Sequence, residues 1–153
     1  MKKILFFLPL LALIVLLSTG FAVAEKKPMI IKLASLGKPD PCEEAGHAGY
    51  LNFKYLVEKG SGGRFQVDIS PAGTLGKETD LIQATKNDVV QVYSASLVGL
   101  HRIFSPAMVA QAPYIFRNEK VAWEVLDGAV GRKLLDAFTR KTGIKGLAIM
   151  DLG

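Results

Sequence analysis

Residues 64–76, RFQVDISPAGTLG, decide how this chain folds. Phe65, Val67 and Ile69 alternate strictly with Arg64, Gln66, Asp68 and Ser70. That two-residue period lays the apolar side chains on one face of a β-strand. Pro71 to Gly76 (PAGTLG) then breaks the pattern and forms a loop. On the N-terminal side, Gly60-Ser61-Gly62-Gly63 ends a segment, Glu43 to Lys59, whose Ala48, Leu51, Tyr55 and Leu56 fall at helical spacing. Before that helix, Met29 to Ser35 (MIIKLAS) reads as a buried strand and Gly37 to Pro41 (GKPDP) as a turn. On the C-terminal side, Lys77 to about Lys86 reads as a helix and Val89 to Tyr93 as a third strand. The order β-α-β-α-β, with connections long enough for crossovers, predicts an α/β domain with a mostly parallel sheet flanked by helices.

Further along, Phe104 to Phe116 is apolar and irregular, interrupted by Pro106 and Pro113. Asn118 is placed to cap a helix running to about Leu126, and Asp127-Gly128 is a turn. Val130 to Lys141 reads as a further helix closed by Gly143, and Ile144 to Met150 as a last apolar strand. Phe116 and Trp123 are read as packing in the core.

The first 24 residues have a different character. Lys2 and Lys3 precede a run from Ile4 to Leu17 interrupted only by Pro9, and Ala22-Val23-Ala24 supplies the small-residue pattern read by signal peptidase. The sequence therefore predicts a signal peptide at residues 1–24, cleaved before Glu25, and an exported, periplasmic product. Of these 24 residues 18 are apolar, so their removal lowers the apolar share to about 45%, ordinary for a globular domain. Lys2 and Lys3 leave with the leader, which reduces the net charge from +5 to +3. The remaining basic residues are scattered, which argues against nucleic acid as a partner.

Catalytic patterns are missing from the sequence. Gly73-Thr74-Leu75-Gly76-Lys77 has the wrong spacing for a phosphate loop, and Glu78 stands where a hydroxyl would hold magnesium. The two histidines, His47 and His101, accompany no metalloprotease or nucleophile-elbow motif and read as surface or satisfied core residues. Cys42 is the only cysteine, so an internal disulfide is impossible and no metal set forms around it. The chain is read as neither an enzyme nor a metal or cofactor binder.

An ordered set of short motifs carries a resemblance. Ile31-Lys32-Leu33-Ala34, Asp40-Pro41, Glu58 to Arg64 (EKGSGGR) and Ser70 to Glu78 (SPAGTLGKE) come first. Asp88 to Leu97 (DVVQVYSASL), Ala112 to Arg117 (APYIFR), Ala122 to Gly128 (AWEVLDG), Gly146-Leu147-Ala148 and Asp151-Leu152-Gly153 follow. Together they resemble the DctP-type solute-binding proteins of tripartite ATP-independent periplasmic (TRAP) transporters. The resemblance implies a two-lobed, type II periplasmic-binding-protein fold that closes on an organic acid anion, a C4-dicarboxylate or related carboxylate. It implies delivery to the membrane permease subunits of a TRAP transporter by a monomeric receptor.

The same resemblance reads residues 25–153 as the first lobe, stopping at the hinge strand, with the second lobe missing. Family members carry a carboxylate-pairing arginine just past that point, and neither Arg117 nor Arg132 stands at the matching place. The ligand contacts that the family's first lobe contributes would fall on the turn at Lys38 to Asp40 and on the loop at Tyr93 to Ser96. The implied ligand-binding residues are Asp40, His47, Tyr93, Ser94 and Ser96. Read from the residues alone, Tyr93 is equally a strand-end core residue, and Ser94 and Ser96 are equally caps of a following helix. A ligand-sensing module of a signalling receptor and an exported enzyme are the alternative functions.

Overall fold

The computed structural model describes residues 27–150. The expected leader therefore lies outside the described residues. Three parallel strands form one sheet in the order β2-β1-β3. They are β1 (Met29–Ser35), β2 (Phe65–Ser70) and β3 (Val92–Ser94). The helix α1 (Ala45–Gly60) connects β1 to β2, and α2 (Glu78–Lys86) connects β2 to β3. This is the α/β arrangement that the alternation of periods predicts.

The central strand divides its side chains between two layers. Leu33 is buried with Val67 of β2 and Tyr50 of α1, and Ile31, Phe53, Val57 and Ile69 pack around them. Ala34 points the other way and is buried with Leu81 of α2 and Val90. Helices thus cover both faces, as a parallel sheet requires. A third cluster lies apart from the sheet. It joins Phe104, Ala107 and Phe138, with the Phe104 and Phe138 rings edge to face at 5.6 Å between centroids.

The remaining elements are a single-turn helix α3 (Leu97–Leu100), a 3-10 helix (Ser105–Gln111), α4 (Glu119–Leu126) and α5 (Ala129–Thr142). Asn118 caps α4, its Oδ1 accepting the Val121 N–H at 3.0 Å. Gly143 ends α5 in the left-handed conformation, at φ 78°.

Four sequence expectations need correction. The third strand is Val92–Ser94 rather than Val89 to Tyr93, because the Val89 and Val90 N–H groups still donate to Ala84 at the end of α2. The stretch from Phe104 to Phe116 is not wholly irregular, since Pro106 starts the 3-10 helix at a position where its missing N–H costs nothing. Ile144 to Met150 forms no strand. Its N-terminal half is held instead by α5, through Ile144 N–H to Thr142 Oγ1 and Gly146 N–H to Thr139 Oγ1, both 3.1 Å. Trp123 is 53% exposed and not part of the core, and Phe116 is half-buried.

An ion pair within α1 also hydrogen-bonds to Val67 of the sheet. Lys54 Nζ lies 2.6 Å from Glu58 Oε1, one turn along α1. The hydrogen bond from Lys54, followed by that from the Val67 N–H, holds the Glu58 carboxyl below its ordinary pKa. A depressed carboxyl stabilises the fold above its unfolded pKa and loses that contribution as pH falls through the folded value. Acidification below the ordinary glutamate range should therefore lower the midpoint of thermal unfolding by a part that Glu58 accounts for. In Glu58→Gln this part of the acid dependence should be missing, as calorimetry across the acid range would read.

Candidate functional site

Parallel pairing brings the carboxyl ends of the strands to one edge, where sheets of this type bind ligands. Ala34 stands beside Tyr93 and Ser35 beside Ser94 in the register of β1 and β3. Two loops close over this edge. The Ala72 N–H donates to the Gly37 carbonyl at 2.8 Å, and the Gly73 N–H to the Ser35 carbonyl at 3.0 Å. Gly73 makes that approach at φ 65°, and a Cβ there would press on the Gly76 carbonyl and Leu36.

Three buried polar atoms at this edge have no hydrogen-bond partner: Ser35 Oγ, His47 Nδ1 and the Tyr93 hydroxyl. His47 lies in the first turn of α1, only 8% exposed, with its ring edge-on to Tyr50. It is buried, as a core residue would be, but not satisfied. Each such atom costs about 1–3 kcal/mol of desolvation. Burial, and then the negative charge of Glu78, push the Tyr93 phenol above its ordinary pKa. Tyr93 is therefore a neutral hydroxyl at physiological pH.

The other expected residues are engaged. The Asp40 carboxylate accepts the N–H groups of Cys42 at 2.8 Å and Glu43 at 3.3 Å, which fixes the turn into α1. Ser96 caps α3, its Oγ accepting the Gly99 N–H at 2.9 Å. Ser94 is half-buried at the end of β3. Ser35 thus stands beside Ser94, and Tyr93 beside Ala34, at the strand ends, while His47 lies in the first turn of α1 and Asp40 belongs to the flanking turn.

Glu78 was not among the expected residues, yet it organises this edge. Its Oε1 accepts both the Ser96 N–H at 3.0 Å and the Ser96 hydroxyl at 2.7 Å. That links the start of α2 to the start of α3. A Cβ at Gly99 would collide with the Glu78 carboxylate, so the absent side chain makes room for the link. Ser35 is the other unexpected member, hidden in the sequence as the last residue of an apolar strand.

No group of three or more His, Cys, Asp or Glu side chains among the described residues could hold a metal ion. A separate open depression of about 240 Å³ lies against α5, lined by Arg132, Leu135, Asp136, Lys145, Gly146 and Leu147. It contains none of the unpaired buried atoms, so the strand-end edge is the stronger candidate.

The family described as DctP, bacterial extracellular solute-binding protein, family 7, matches residues 40–153. The chain belongs to this family, whose members are solute-binding receptors and not enzymes. The C4-dicarboxylate-binding periplasmic protein DctP of Rhodobacter capsulatus is 32% identical over 133 residues, covering 86% of this chain and 38% of that protein. A TRAP periplasmic solute-binding protein from Desulfovibrio desulfuricans, solved with bound sn-glycerol-3-phosphate, superposes with a TM-score of 0.75 at 26% identity. That match covers 82% of this chain and 41% of the other. The sugar acid-binding protein DctPAm of Advenella mimigardefordensis, in complex with galactonate, gives a TM-score of 0.68 at 30% identity, over 75% of this chain and 36% of its own. The chain thus spans about two fifths of the length of the relatives it matches.

Two outcomes follow from the geometry. Glu78→Ala removes the acceptor for two Ser96 donors and should lower the melting temperature by about 3–5 °C, the equivalent of about 1 kcal/mol in a domain of this size. In an ultraviolet titration, Tyr93→Phe should delete a phenolate step lying above the ordinary phenol value of about 10.

Proposed function

We propose that this chain forms one lobe of an exported receptor that binds an organic acid anion and delivers it to the membrane permease subunits of a TRAP transporter. The observation that carries this reading is the trio of buried, unpaired polar atoms on Ser35, His47 and Tyr93, at the strand-end edge of a parallel sheet in a DctP-family chain. Such groups make hydrogen bonds to a ligand at little further desolvation cost. Ser94 lies beside Ser35 in this reading, Asp40 fixes the adjoining turn, and Ser96 holds the loop above.

Export follows in this proposal from residues 1–24 as a signal peptide cleaved before Glu25, in keeping with the periplasmic relatives. Residues 25–153 make the first lobe of a monomeric receptor, without a cofactor. The names and bound molecules of the relatives range over C4-dicarboxylates, glycerol phosphate and galactonate, so the class of ligand is an organic anion.

One lobe supplies only part of the contacts in a clamshell. Removing one partner of a buried charge pair costs about 2–5 kcal/mol, which corresponds to at least ~30-fold in affinity. The chain alone should therefore bind weakly. Succinate and D-galactonate, titrated separately into the isotope-labelled protein up to the millimolar range, should shift the amide resonances of residues 35–40 and 93–97 with at least one of the two. Absence of any shift there overturns the binding reading. A micromolar dissociation constant overturns the reading of an incomplete site.

A further inference from the structure

Among the described residues, the outer edge of β2 is closed by side chains rather than by another strand. In a parallel ladder the N–H and C=O of one residue point to the same side, and successive residues alternate. The Met29 N–H donates to the Arg64 carbonyl at 2.9 Å, so Arg64, Gln66 and Asp68 turn toward β1. Phe65, Val67 and Ile69 therefore turn their backbone groups outward, to the free side of an edge strand.

The last turns of α1 fill that side. The Phe65 N–H donates to Ser61 Oγ at 3.1 Å. The Val67 N–H donates to Glu58 Oε1 at 2.9 Å. Lys54 Nζ donates to the Val67 carbonyl at 2.6 Å and also to Glu58. One acidic and one basic side chain, four residues apart on a helix, thus offer Val67 the acceptor and the donor that a neighbouring strand would offer.

We propose that Lys54, Glu58 and Ser61 form a stop on the β2 edge, and that the partner the stop excludes is the β2 edge of a second copy of this chain. Unprotected edges pair with other chains, and charged side chains are a common defence. The sequence FQVDIS is self-complementary about Val67. Antiparallel pairing about a two-fold axis at that residue sets Val67 against Val67, Phe65 against Ile69 and Gln66 against Asp68. Apolar residues then meet on the face that α1 covers, polar residues meet on the other, and no like charges are opposed. The outward groups of Phe65, Val67 and Ile69 are also those that such a pair would join.

The test uses protein expressed from the full chain. Sedimentation velocity should find wild type monomeric through the high micromolar range. The exchange variant Lys54→Glu/Glu58→Lys keeps composition, net charge and the ion pair, but sets a carboxylate against the Val67 carbonyl and an ammonium against its N–H. It should dimerise while retaining the wild-type far-ultraviolet circular dichroism. Adding Gln66→Asp opposes two pairs of carboxylates across the two-fold axis and should raise the dimer dissociation constant by about ten-fold. Lys54→Met, a milder change that leaves the Glu58–Val67 bond, should associate more weakly than the exchange variant. It decides the matter if the exchange variant unfolds, since a monomeric Lys54→Met then overturns the proposal. So does a folded exchange variant that stays monomeric, a dimer indifferent to Gln66→Asp, or a wild-type chain that already dimerises through β2. Capture of an extended peptide without self-association would overturn the assignment of the partner to a second copy.

Discussion

Every layer of the structure depends on the two-sided pairing of β1. It is the only strand among the described residues with a neighbour on each side. Its last three residues, Leu33, Ala34 and Ser35, are 2%, 0% and 1% exposed. Parallel neighbours on both sides require a crossover on the way to each, and those crossovers are α1 and α2. Leu33 gives α1 its apolar floor and Ala34 gives α2 a shallow one, against which Leu81 is completely buried. A larger side chain at Ala34 would lift α2, and with it Glu78. The position of the candidate site follows from the pairing rather than from any residue in the site. Once the strands run parallel, their carboxyl ends collect on one edge, and the loops that follow must close over it.

Two sets of polar contacts then hold that edge in shape. Backbone bonds from Ala72 and Gly73 fasten the loop after β2 to the end of β1. The Glu78 carboxylate fastens the loop after β3 to the start of α2. Neither depends on a ligand, so the strand-end edge keeps its geometry through its own bonds. The free side of β2, by contrast, faces away from that edge and is satisfied by α1. The sheet's open end and its closed side are separate surfaces.

Much of this was legible in the residues. Alternation over Phe65 to Ile69, the glycines after Lys59, Asn118 before α4 and Gly143 after α5 each mark an element through a local cause, and local causes are visible in a single chain. What escaped has non-local causes. Ile144 to Met150 has the composition of a strand, but strands need neighbours, and here two threonine hydroxyls of α5 take the first N–H groups instead. The start of β3 moved because Asp88, at φ 59°, closes α2 in the left-handed conformation and leaves the Val89 and Val90 N–H groups bonded to Ala84. Glu78 and Ser96 are eighteen residues apart, and no sequence period connects them. Ser35 reads as the end of an apolar run, and only its buried, unpaired hydroxyl sets it apart. Asp40, Ser94 and Ser96 were legible as polar residues near strand ends, but not the division of labour between them.

That division separates the groups that hold the edge from those that remain free to act. Asp40 and Ser96 are satisfied within the chain, whereas Ser35, His47 and Tyr93 each bury an atom that is not. A small domain has a net stability of only about 5–15 kcal/mol, so three such atoms are a substantial standing cost. The character of the free groups also matters. Two are hydroxyls, and the phenol is kept neutral by burial and by Glu78, so these two offer hydrogen bonds and no charge. The lysine closest in sequence, Lys38, is exposed in the turn, where solvent and salt weaken its attraction for an anion. On the proposed reading these hydroxyls orient an organic anion through hydrogen bonds, and its charge calls for a countercharge that they do not supply. Appreciable binding needs both, because neither hydrogen bonds nor countercharge alone offset the cost of bringing the anion out of water.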